Sequence, residues 1–265
     1  MKKKMIAAVL IFFELFCLLS IYVIKGDLAP WVWSGWIFIL APVSCIAFLV
    51  EIILIVYRML KRKDIRWNAR YLLLTGIGAF PITILFGISP ITYPDNVKES
   101  AGVVMQVPVD HAVLFGGKDY KTHAIWPSER YAYDILVEPY DVNSKDLSDY
   151  GIYLAEVTSP VTGTIIDLKE DEEDILPNTD QFTSSLGNYI VMKIDSTGTY
   201  VVLAHLEKDS IEVEVGDHVE VGTYLAKVGN SGTTSEPHLH IQHQKNNPKD
   251  IAFPTCAKGL PIIFE

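Results

Sequence analysis

Two parts are predicted along this chain: an N-terminal transmembrane anchor of three helices and a C-terminal all-β domain, built as an antiparallel sheet, barrel or sandwich. The first prediction rests on three long apolar runs before residue 92, each close to the ~20 residues that a helix needs to cross a bilayer. The second rests on short runs of β-favouring residues that alternate with Gly, Pro, Asp and Asn. We place the boundary so that residues 1–93 form the anchor and residues 94–265 form the β domain.

The apolar runs are Met5–Ile24, Gly35–Tyr57 and Tyr71–Ile91. Loop 25–34 has Lys25 as its single basic residue, whereas the N-terminus and the loop after the second run carry Lys2, Lys3, Lys4, Arg58, Lys61, Arg62, Lys63, Arg66 and Arg70. Because basic residues stay on the cytoplasmic side, the N-terminus is expected in the cytoplasm. Three spans then make the β domain extracytoplasmic, and the aromatic residues expected at the outer membrane interface are Trp31, Trp33, Trp36 and Tyr93. A cleaved signal peptide is the alternative for the first run, but no small-residue cleavage site follows it.

Charge and cysteine content narrow the function classes of the β domain. Residues 71–265 hold twelve Lys/Arg and twenty-eight Asp/Glu, and such an acidic surface argues against a nucleic-acid partner. Cys17 and Cys45 fall in the apolar runs, which leaves Cys256 alone in the β domain, so no disulfide can form within it. The domain must therefore be stabilised by its own core, for which about 170 residues are enough.

The β domain is predicted to begin with an extended connector from Pro94 to Gly117, because proline disfavours helix and Gly116-Gly117 indicates a turn. A long polar loop is predicted around Glu170–Asp174 and Pro177–Ser185, as a solvated segment or, alternatively, a lid over a site. The predicted strands are Tyr133–Val137, Tyr153–Val157, Gly163–Leu168, Asn188–Ile194, Thr199–Leu206, Tyr224–Val228 and Leu239–His243.

The histidines of the β domain are the candidates for chemistry. His238 and His240 flank Leu239 in a strand, so the period of two directs both imidazoles to one face, an arrangement that suits a metal. The same period predicts that Val201, Leu203 and His205 share a face, with His205 at a strand end. Asp134 lies among strand-forming residues and needs a partner. His123 and His111 precede it and are both candidates for that role.

These residues carry a resemblance to a known family. The segment Val228–Ile241, with its Gly-Asn-Ser-Gly followed by Pro-His-Leu-His, resembles the lysostaphin-type zinc endopeptidases, peptidase family M23 or LytM domains. Ala204-His205-Leu206 is similar to that family's Tyr-Ala-His-Leu element, although Leu203 stands where Tyr is usual. The hairpin-like segments Ser159–Ile165 and Val215–Leu225 are similar to its barrel hairpins, so a LytM-like fold is expected.

The resemblance implies one Zn²⁺ per chain, with His123, Asp134 and His240 as the metal ligands. It implies that His205 and His238 are the catalytic pair. One departure affects the first ligand: the commonest family pattern spaces His and Asp four apart, whereas His123 and Asp134 are eleven apart. A branch of the family with Tyr-Ala-x-Asp has a longer gap, so His123 is preferred and His111 is the alternative.

Two imidazoles and one carboxylate leave a coordination position open for water, as in catalytic zinc sites, where the pKa of water falls to about 7. The chain has no H-E-x-x-H, so His205 and His238 are available to accept a proton or to stabilise an oxyanion, in either assignment. The expected substrate is a stem or cross-bridge peptide of peptidoglycan. The alternative function is a non-hydrolytic LytM-like module that binds the cell wall or activates another hydrolase.

Overall fold

The computed structural model of the protein describes residues 2–98 and 101–265, so Met1, Glu99 and Ser100 lie outside the described residues. Contacts divide the chain into two compact units, of which one ends at Asn96 and the other runs from Val97 to Glu265. The N-terminal unit is helical and the C-terminal unit is mostly β.

Three helices of the N-terminal unit are long and apolar enough to cross a membrane: Lys2–Ile24, Ala29–Leu60 and Arg66–Leu85. Each is interrupted, and the segments are α1 Lys2–Leu18 with a π-helical turn at Leu19–Ile24, α2 Ala29–Gly35 with a π-helical turn at Trp36–Leu40, α3 Ala41–Leu60, α4 Arg66–Ala79 and α5 Ile82–Leu85. The three predicted apolar helices are thus present, with shifted ends.

The third helix corrects the sequence prediction at both ends. It begins at Arg66, so Arg66 and Arg70 belong to α4 and not to the preceding loop. It ends at Leu85, six residues before the predicted Ile91. Gly87 accounts for the early end because its φ of 63° is the left-handed conformation in which helices commonly terminate.

Two polar side chains inside the helical unit, Asn68 and Trp36, donate hydrogen bonds between helical segments. Asn68 on α4 donates its Nδ2 hydrogen to Glu51 Oε2 on α3 at 2.8 Å. The indole Nε1 of Trp36 donates to the Gly78 carbonyl at 3.2 Å. Such pairing is how a chain accommodates polar groups in an apolar helical bundle, so Glu51 acts here in helix packing.

The C-terminal unit contains twelve strands among the described residues: β1 Val103–Met105, β2 Val113–Gly116, β3 Tyr133–Leu136, β4 Glu156–Thr158, β5 Gly163–Lys169, β6 Asn188–Ile194, β7 Tyr200–Leu206, β8 His218–Val219, β9 Tyr224–Lys227, β10 Leu239–Gln244, β11 Gly259–Leu260 and β12 Ile262–Phe264. The main sheet has the order β2-β3-β10-β7-β6-β5-β8 with β11 on β10, and all of its described pairings are antiparallel. Strands β4 and β9 form a separate antiparallel pair. The predicted antiparallel β architecture is confirmed.

Two strand predictions were wrong. The predicted connector from Pro94 to Gly117 contains β1, which pairs in parallel with β12, and β2, which extends the main sheet beside β3. The partners β1 and β12 are far apart in the chain, and β2 and β3 are separated by a long loop. Local sequence patterns do not reveal such partners. The strand predicted at Tyr153–Val157 begins at Glu156, because the chain turns over residues 151–154 and Leu154 has a φ of 62°.

The main sheet has an apolar face and a polar face. Ile165, Ile190, Leu203 and Ile241 lie fully buried in the hydrophobic core on one side. The alternate residues of β10, namely His240, Gln242 and Gln244, are also buried but lie on the other side. Burying polar side chains is costly unless they are hydrogen-bonded, so this second face is where a site is expected.

The loop between β5 and β6 has no regular structure, as predicted, but its Glu172 is not solvated. Glu172 is only 6% exposed. Its carboxylate accepts hydrogen bonds from the backbone N–H groups of Thr183 and Ser184, the Ser184 hydroxyl and Lys169 Nζ, at 2.5–3.1 Å. Asn188 Nδ2 donates to the Glu172 carbonyl at 2.8 Å, so the loop is tied to the start of β6.

Replacing Glu172 with glutamine is expected to lower the free energy of unfolding by about 1–3 kcal/mol at neutral pH, because buried donors lose their charged acceptor. Burial alone would raise the pKa of Glu172, but the hydrogen bonds from Lys169, Ser184 and the Thr183 backbone lower it from 4.5 to about 2. The folded pKa is thus below the unfolded one, so this stabilisation is fully present above pH 4.5 and is lost as pH falls toward 2.

Urea unfolding of the wild type and Glu172→Gln across this pH range measures the difference. The control is Glu173→Gln, since the Glu173 side chain is 78% exposed and its loss is expected to change stability by less than about 0.5 kcal/mol. A Glu172→Gln effect as small as that of the control, or one that persists unchanged at pH 2, would contradict this account of the loop.

Candidate metal centre

The register of the main sheet brings an imidazole and a carboxylate face to face. On β10, His240 lies directly opposite Asp134 on β3 and opposite Ala204 on β7. Side chains of directly opposed residues on one face are close enough to interact. His240 Nδ1 lies 3.0 Å from Asp134 Oδ1, so the pairing of two strands far apart in sequence builds half of the site.

His123 completes a group of three possible metal ligands. It lies in a 3₁₀ turn, His123–Ile125, in the loop that joins β2 to β3, and its Nε2 is 2.9 Å from Asp134 Oδ2. The ligand atoms of His123, Asp134 and His240 all lie within 4.8 Å of one another. His111, the alternative first ligand, is exposed and is not part of this group.

The donor set of this group fits a zinc ion. Two imidazole nitrogens and one carboxylate oxygen are the ligands of catalytic zinc sites, which keep one further position open. The three side chains are 6–18% exposed, so an ion held by them would remain reachable from solvent. The His123 Nδ1 atom is buried and has no hydrogen-bond partner among the described residues.

The electrostatics of the group are dominated by Asp134. Burial alone would raise its pKa, but His238, His123 and His240 together hold the pKa of this carboxyl well below its usual range. For His240, burial alone would lower the pKa, yet the hydrogen bond and charge of Asp134 raise it to about 9. The cluster is therefore a strongly polarised, buried ion-pair arrangement of the kind that is typical of functional sites.

His205 reaches the site through a β-bulge, and this corrects the predicted parity of β7. Asn188 pairs with Leu206 and Tyr189 pairs with Ala204, so His205 is an extra residue without a partner on β6. Its φ of 64° is left-handed, whereas Val201 and Leu203 remain in the core. A bulge re-aims one side chain, and here it turns His205 away from the core toward the other histidines. The prediction that His205 shares the face of Val201 and Leu203 was wrong for this reason.

His205 and His238 have the same tautomer, set by backbone carbonyls. His205 Nδ1 lies 2.8 Å from the Ser231 carbonyl oxygen, and His238 Nδ1 lies 2.8 Å from that of Glu236. A carbonyl oxygen only accepts, so each Nδ1 carries a hydrogen, and the neutral form of each ring has its lone pair on Nε2. Burial, with His238 and His240 nearby, lowers the pKa of His205 well below 6.5, which keeps its imidazole neutral.

The two imidazoles lie beside each other and beside the three-ligand group. The ring centroids of His205 and His238 are 4.6 Å apart, and those of His205 and His240 are 6.0 Å apart. His238 Nε2 lies 3.6 Å from Asp134 Oδ1. All five residues singled out from the sequence thus lie in one cluster, with the imidazoles of His205 and His238 next to a possible metal position.

The structure explains why glycine occurs in the Gly-Asn-Ser-Gly segment and in the loop that faces it. Gly187 and Gly232 both have positive φ, and a Cβ on either would lie 2.3 Å from backbone atoms of Ser231 or of Gly187. Only glycine permits this close approach of the two loops. Ser231 Oγ accepts from the Asn188 N–H at 2.9 Å and donates to the Leu206 carbonyl at 2.7 Å, which holds the Ser231 carbonyl against His205.

Sequence reasoning missed two residues next to the cluster. Gln242 Oε1 lies 3.2 Å from His240 Nε2, and Gln242 Nε2 donates to Gln244 Oε1 at 2.8 Å. The period of two from His240 could have identified Gln242, since it lies on the same face of the same strand. Glu129 interacts electrostatically with His240, His123 and Asp134, but it lies in a loop where no periodic signal exists.

Comparison with known proteins agrees with the motifs. Residues 151–251 match the family model described as Peptidase family M23. No curated protein sequence matches the chain significantly.

Several solved structures are similar to this chain. The catalytic domain of lysostaphin from Staphylococcus simulans has 18% identity and a TM-score of 0.35 over 56% of this chain and 85% of its own. A putative peptidase M23 from Pseudomonas aeruginosa has 18% identity and a TM-score of 0.34 over 52% of this chain and 44% of its own. A zinc containing peptidase from Vibrio cholerae has 20% identity and a TM-score of 0.30 over 52% of this chain and 33% of its own.

This chain spans less than half the length of the Pseudomonas and Vibrio proteins. It spans 36% of the chain in the NMR solution structure of lysostaphin. Within the matched range lie His205, His238 and His240, whereas His123 and Asp134 precede it. The β domain is thus similar, over residues 151–251, to Peptidase family M23.

Proposed function

We propose that this protein is a zinc-dependent endopeptidase that hydrolyses stem or cross-bridge peptide bonds of peptidoglycan from a membrane-anchored position. The observation that carries the proposal is the group His123, Asp134 and His240 with the imidazoles of His205 and His238 beside it. Peptide hydrolysis needs an electrophile for the carbonyl, an activated water and a proton acceptor, and this set of side chains can supply all three.

In this proposal the residues that would hold one Zn²⁺ are His123 and His240, through ring nitrogens, and Asp134, through a carboxylate oxygen. When bound, zinc supplies a Lewis acid for the scissile carbonyl and lowers the pKa of water to about 7. The lone pairs on Nε2 of His205 and His238 accept a proton, and the resulting N–H donates to the developing oxyanion or the leaving amine. The backbone carbonyls of Ser231 and Glu236 hold both rings in the required tautomer.

The proposed location is the cell membrane, with the N-terminus in the cytoplasm and the β domain outside. The three apolar helices expose large hydrophobic side chains such as Phe12, Ile53 and Leu60, which are 66–79% exposed and need an apolar solvent. The basic loop after Leu60 supports the orientation. Alkaline phosphatase fused after Glu265 is expected to be active and the same enzyme fused after Lys63 inactive; the reverse pattern would overturn the orientation.

The direct test of activity uses the full chain, purified in detergent, with isolated peptidoglycan. We expect soluble wall fragments with new amino termini in mass spectra, loss of their release after chelation, and recovery on adding Zn²⁺. Protein that holds no zinc and releases nothing, yet sediments with the wall polymer, would replace this proposal with a non-hydrolytic wall-binding module.

Gln242 is expected to orient His240 for the metal. With Nδ1 of His240 as the zinc ligand, its Nε2 would carry the ring hydrogen and donate it to Gln242 Oε1, which lies 3.2 Å away. Outer partners of this kind are worth about 10–100-fold in metal affinity, so Gln242→Leu is expected to weaken zinc binding by that factor. Competition with a chromophoric chelator measures the affinity.

The matched control is Gln244→Leu, one step further along the same face of β10. Because Gln244 contacts Gln242 and not His240, its loss is expected to change zinc affinity by less than the ~10–100-fold predicted for Gln242→Leu. Equal effects of the two substitutions would mean that the side chains of Gln242 and Gln244 affect zinc binding through packing alone.

A further inference from the structure

A cavity of about 310 Å³ lies beside the metal centre on the polar face of the main sheet. Gln242, the hydrogen-bond partner of His240, forms part of its wall, so the cavity borders the site directly. The polar side chains that line it include Glu129, Asp167, Tyr189, Gln242, Gln244 and Lys249. A peptide bound across the metal centre can therefore place one of its groups here.

The two carboxylates of the cavity differ in their partners. Asp167 accepts a hydrogen bond from the Tyr189 hydroxyl at 3.1 Å and forms an ion pair with Lys249 Nζ at 2.9 Å. The Glu129 carboxylate has no hydrogen bond or ion pair with any side chain in the described ranges 2–98 and 101–265. Glu129 is thus the one cavity carboxylate, within the described chain, whose charge lacks a direct partner.

A half-buried carboxylate without a hydrogen bond or ion pair is unfavourable, even with His240 and His123 acting on its charge, and a cation bound in the cavity would give it a direct partner. The cavity is too small for a large ligand but has room for one short side chain or chain end.

We propose that this cavity is a subsite for an ammonium group of the substrate and that Glu129 binds that group. The inference rests on the proposed peptidase function and narrows its substrate class to peptides with a free amino group near the scissile bond. The amine can belong to a chain terminus or to a diamino-acid side chain. Either one would form a charge-assisted hydrogen bond with the Glu129 carboxylate.

The test uses the full chain in detergent and three peptides of one sequence: one with a free terminal amine, one with a free side-chain amine, and one with both amines acetylated. Wild-type kcat/KM is expected to be about 10- to 100-fold higher for at least one amine peptide than for the acetylated one. Which amine peptide is preferred identifies the source of the ammonium group.

In Glu129→Gln the ratio between amine and acetylated peptides is expected to fall to near one, whereas Glu129→Asp, which keeps the charge, retains part of it. The matched control is Glu220→Gln, which removes the same charge from an exposed position and should keep the wild-type ratio. A wild-type ratio near one, or a ratio unchanged in Glu129→Gln, would overturn the subsite.

Binding of the same peptides, measured by calorimetry on metal-free protein, separates this inference from the function itself. If no peptide is cleaved but the amine peptides bind about 10- to 100-fold more tightly in a Glu129-dependent manner, the subsite stands and the peptidase proposal fails. If the peptides are cleaved without amine preference, the peptidase proposal stands and the subsite fails.

Discussion

Replacing His240 with alanine is expected to abolish zinc binding and peptide hydrolysis together. His240 lies opposite Asp134 on β3 and opposite Ala204 on β7, so two neighbouring strands hold it in register. The loss in zinc affinity should exceed the ~10–100-fold cost of removing an outer partner such as Gln242. Hydrolysis should fall by about a thousandfold or more, since the metal contributes several kcal/mol and each 1.36 kcal/mol is tenfold in rate.

The matched control for this variant is His243→Ala. His243 is a buried histidine of the same strand, on the opposite face, where it contacts Thr199 and the Pro261 carbonyl. Its loss should lower the thermal stability but leave one zinc per chain. If His240→Ala retains zinc and activity, or if His243→Ala loses zinc as well, the ligand assignment is incorrect.

Replacing His205 with asparagine is expected to leave zinc binding intact and to reduce kcat by about 10²- to 10⁴-fold, the range that general acid–base catalysis contributes. Asparagine is the suitable substitution because it tolerates the left-handed backbone that His205 adopts at the bulge, with φ of 64°. Zinc content and single-turnover rates on a defined wall peptide measure the two effects separately.

The same experiment on His238→Ala should give the same result, since each ring directs its Nδ1 hydrogen to a backbone carbonyl and leaves Nε2 available beside the three-ligand group. Substitution of His218, an exposed histidine on β8 that pairs with Asp195, should affect neither zinc nor rate. If the His205→Asn protein holds no zinc, the role of His205 is to shape the metal site. If the His205→Asn protein is fully active, His205 has no part in the mechanism.

The parts of the site that sequence predicts well are those set by local periodicity. His238 and His240 were assigned to one face of a strand by the period of two; His240 lies on β10, and His238 immediately precedes that strand. Asn188–Ile194 was predicted as a strand with the same ends as β6, because β-branched and aromatic residues are bounded by glycine and a turn. Three apolar helices follow equally directly from the length of the apolar runs.

The parts that sequence predicts poorly depend on distant segments. The bulge that turns His205 toward the site is a property of the β6–β7 pairing, so alternation along β7 alone gave the wrong face. Strand β1 exists through its parallel partner β12, at the other end of the domain. Glu172 falls in an acidic run that is typical of solvated loops, yet Asn188 and Ser184 enclose it.

The central claim is that His123, Asp134 and His240 hold one catalytic zinc. Its most direct test is a crystal of the zinc-loaded protein measured on both sides of the zinc absorption edge. The account predicts a single anomalous peak bounded by His123 Nε2, an Asp134 carboxylate oxygen and His240 Nδ1, with Nε2 of His205 and His238 facing it. A map with no peak at these atoms, or with zinc at another set of ligands, would contradict it.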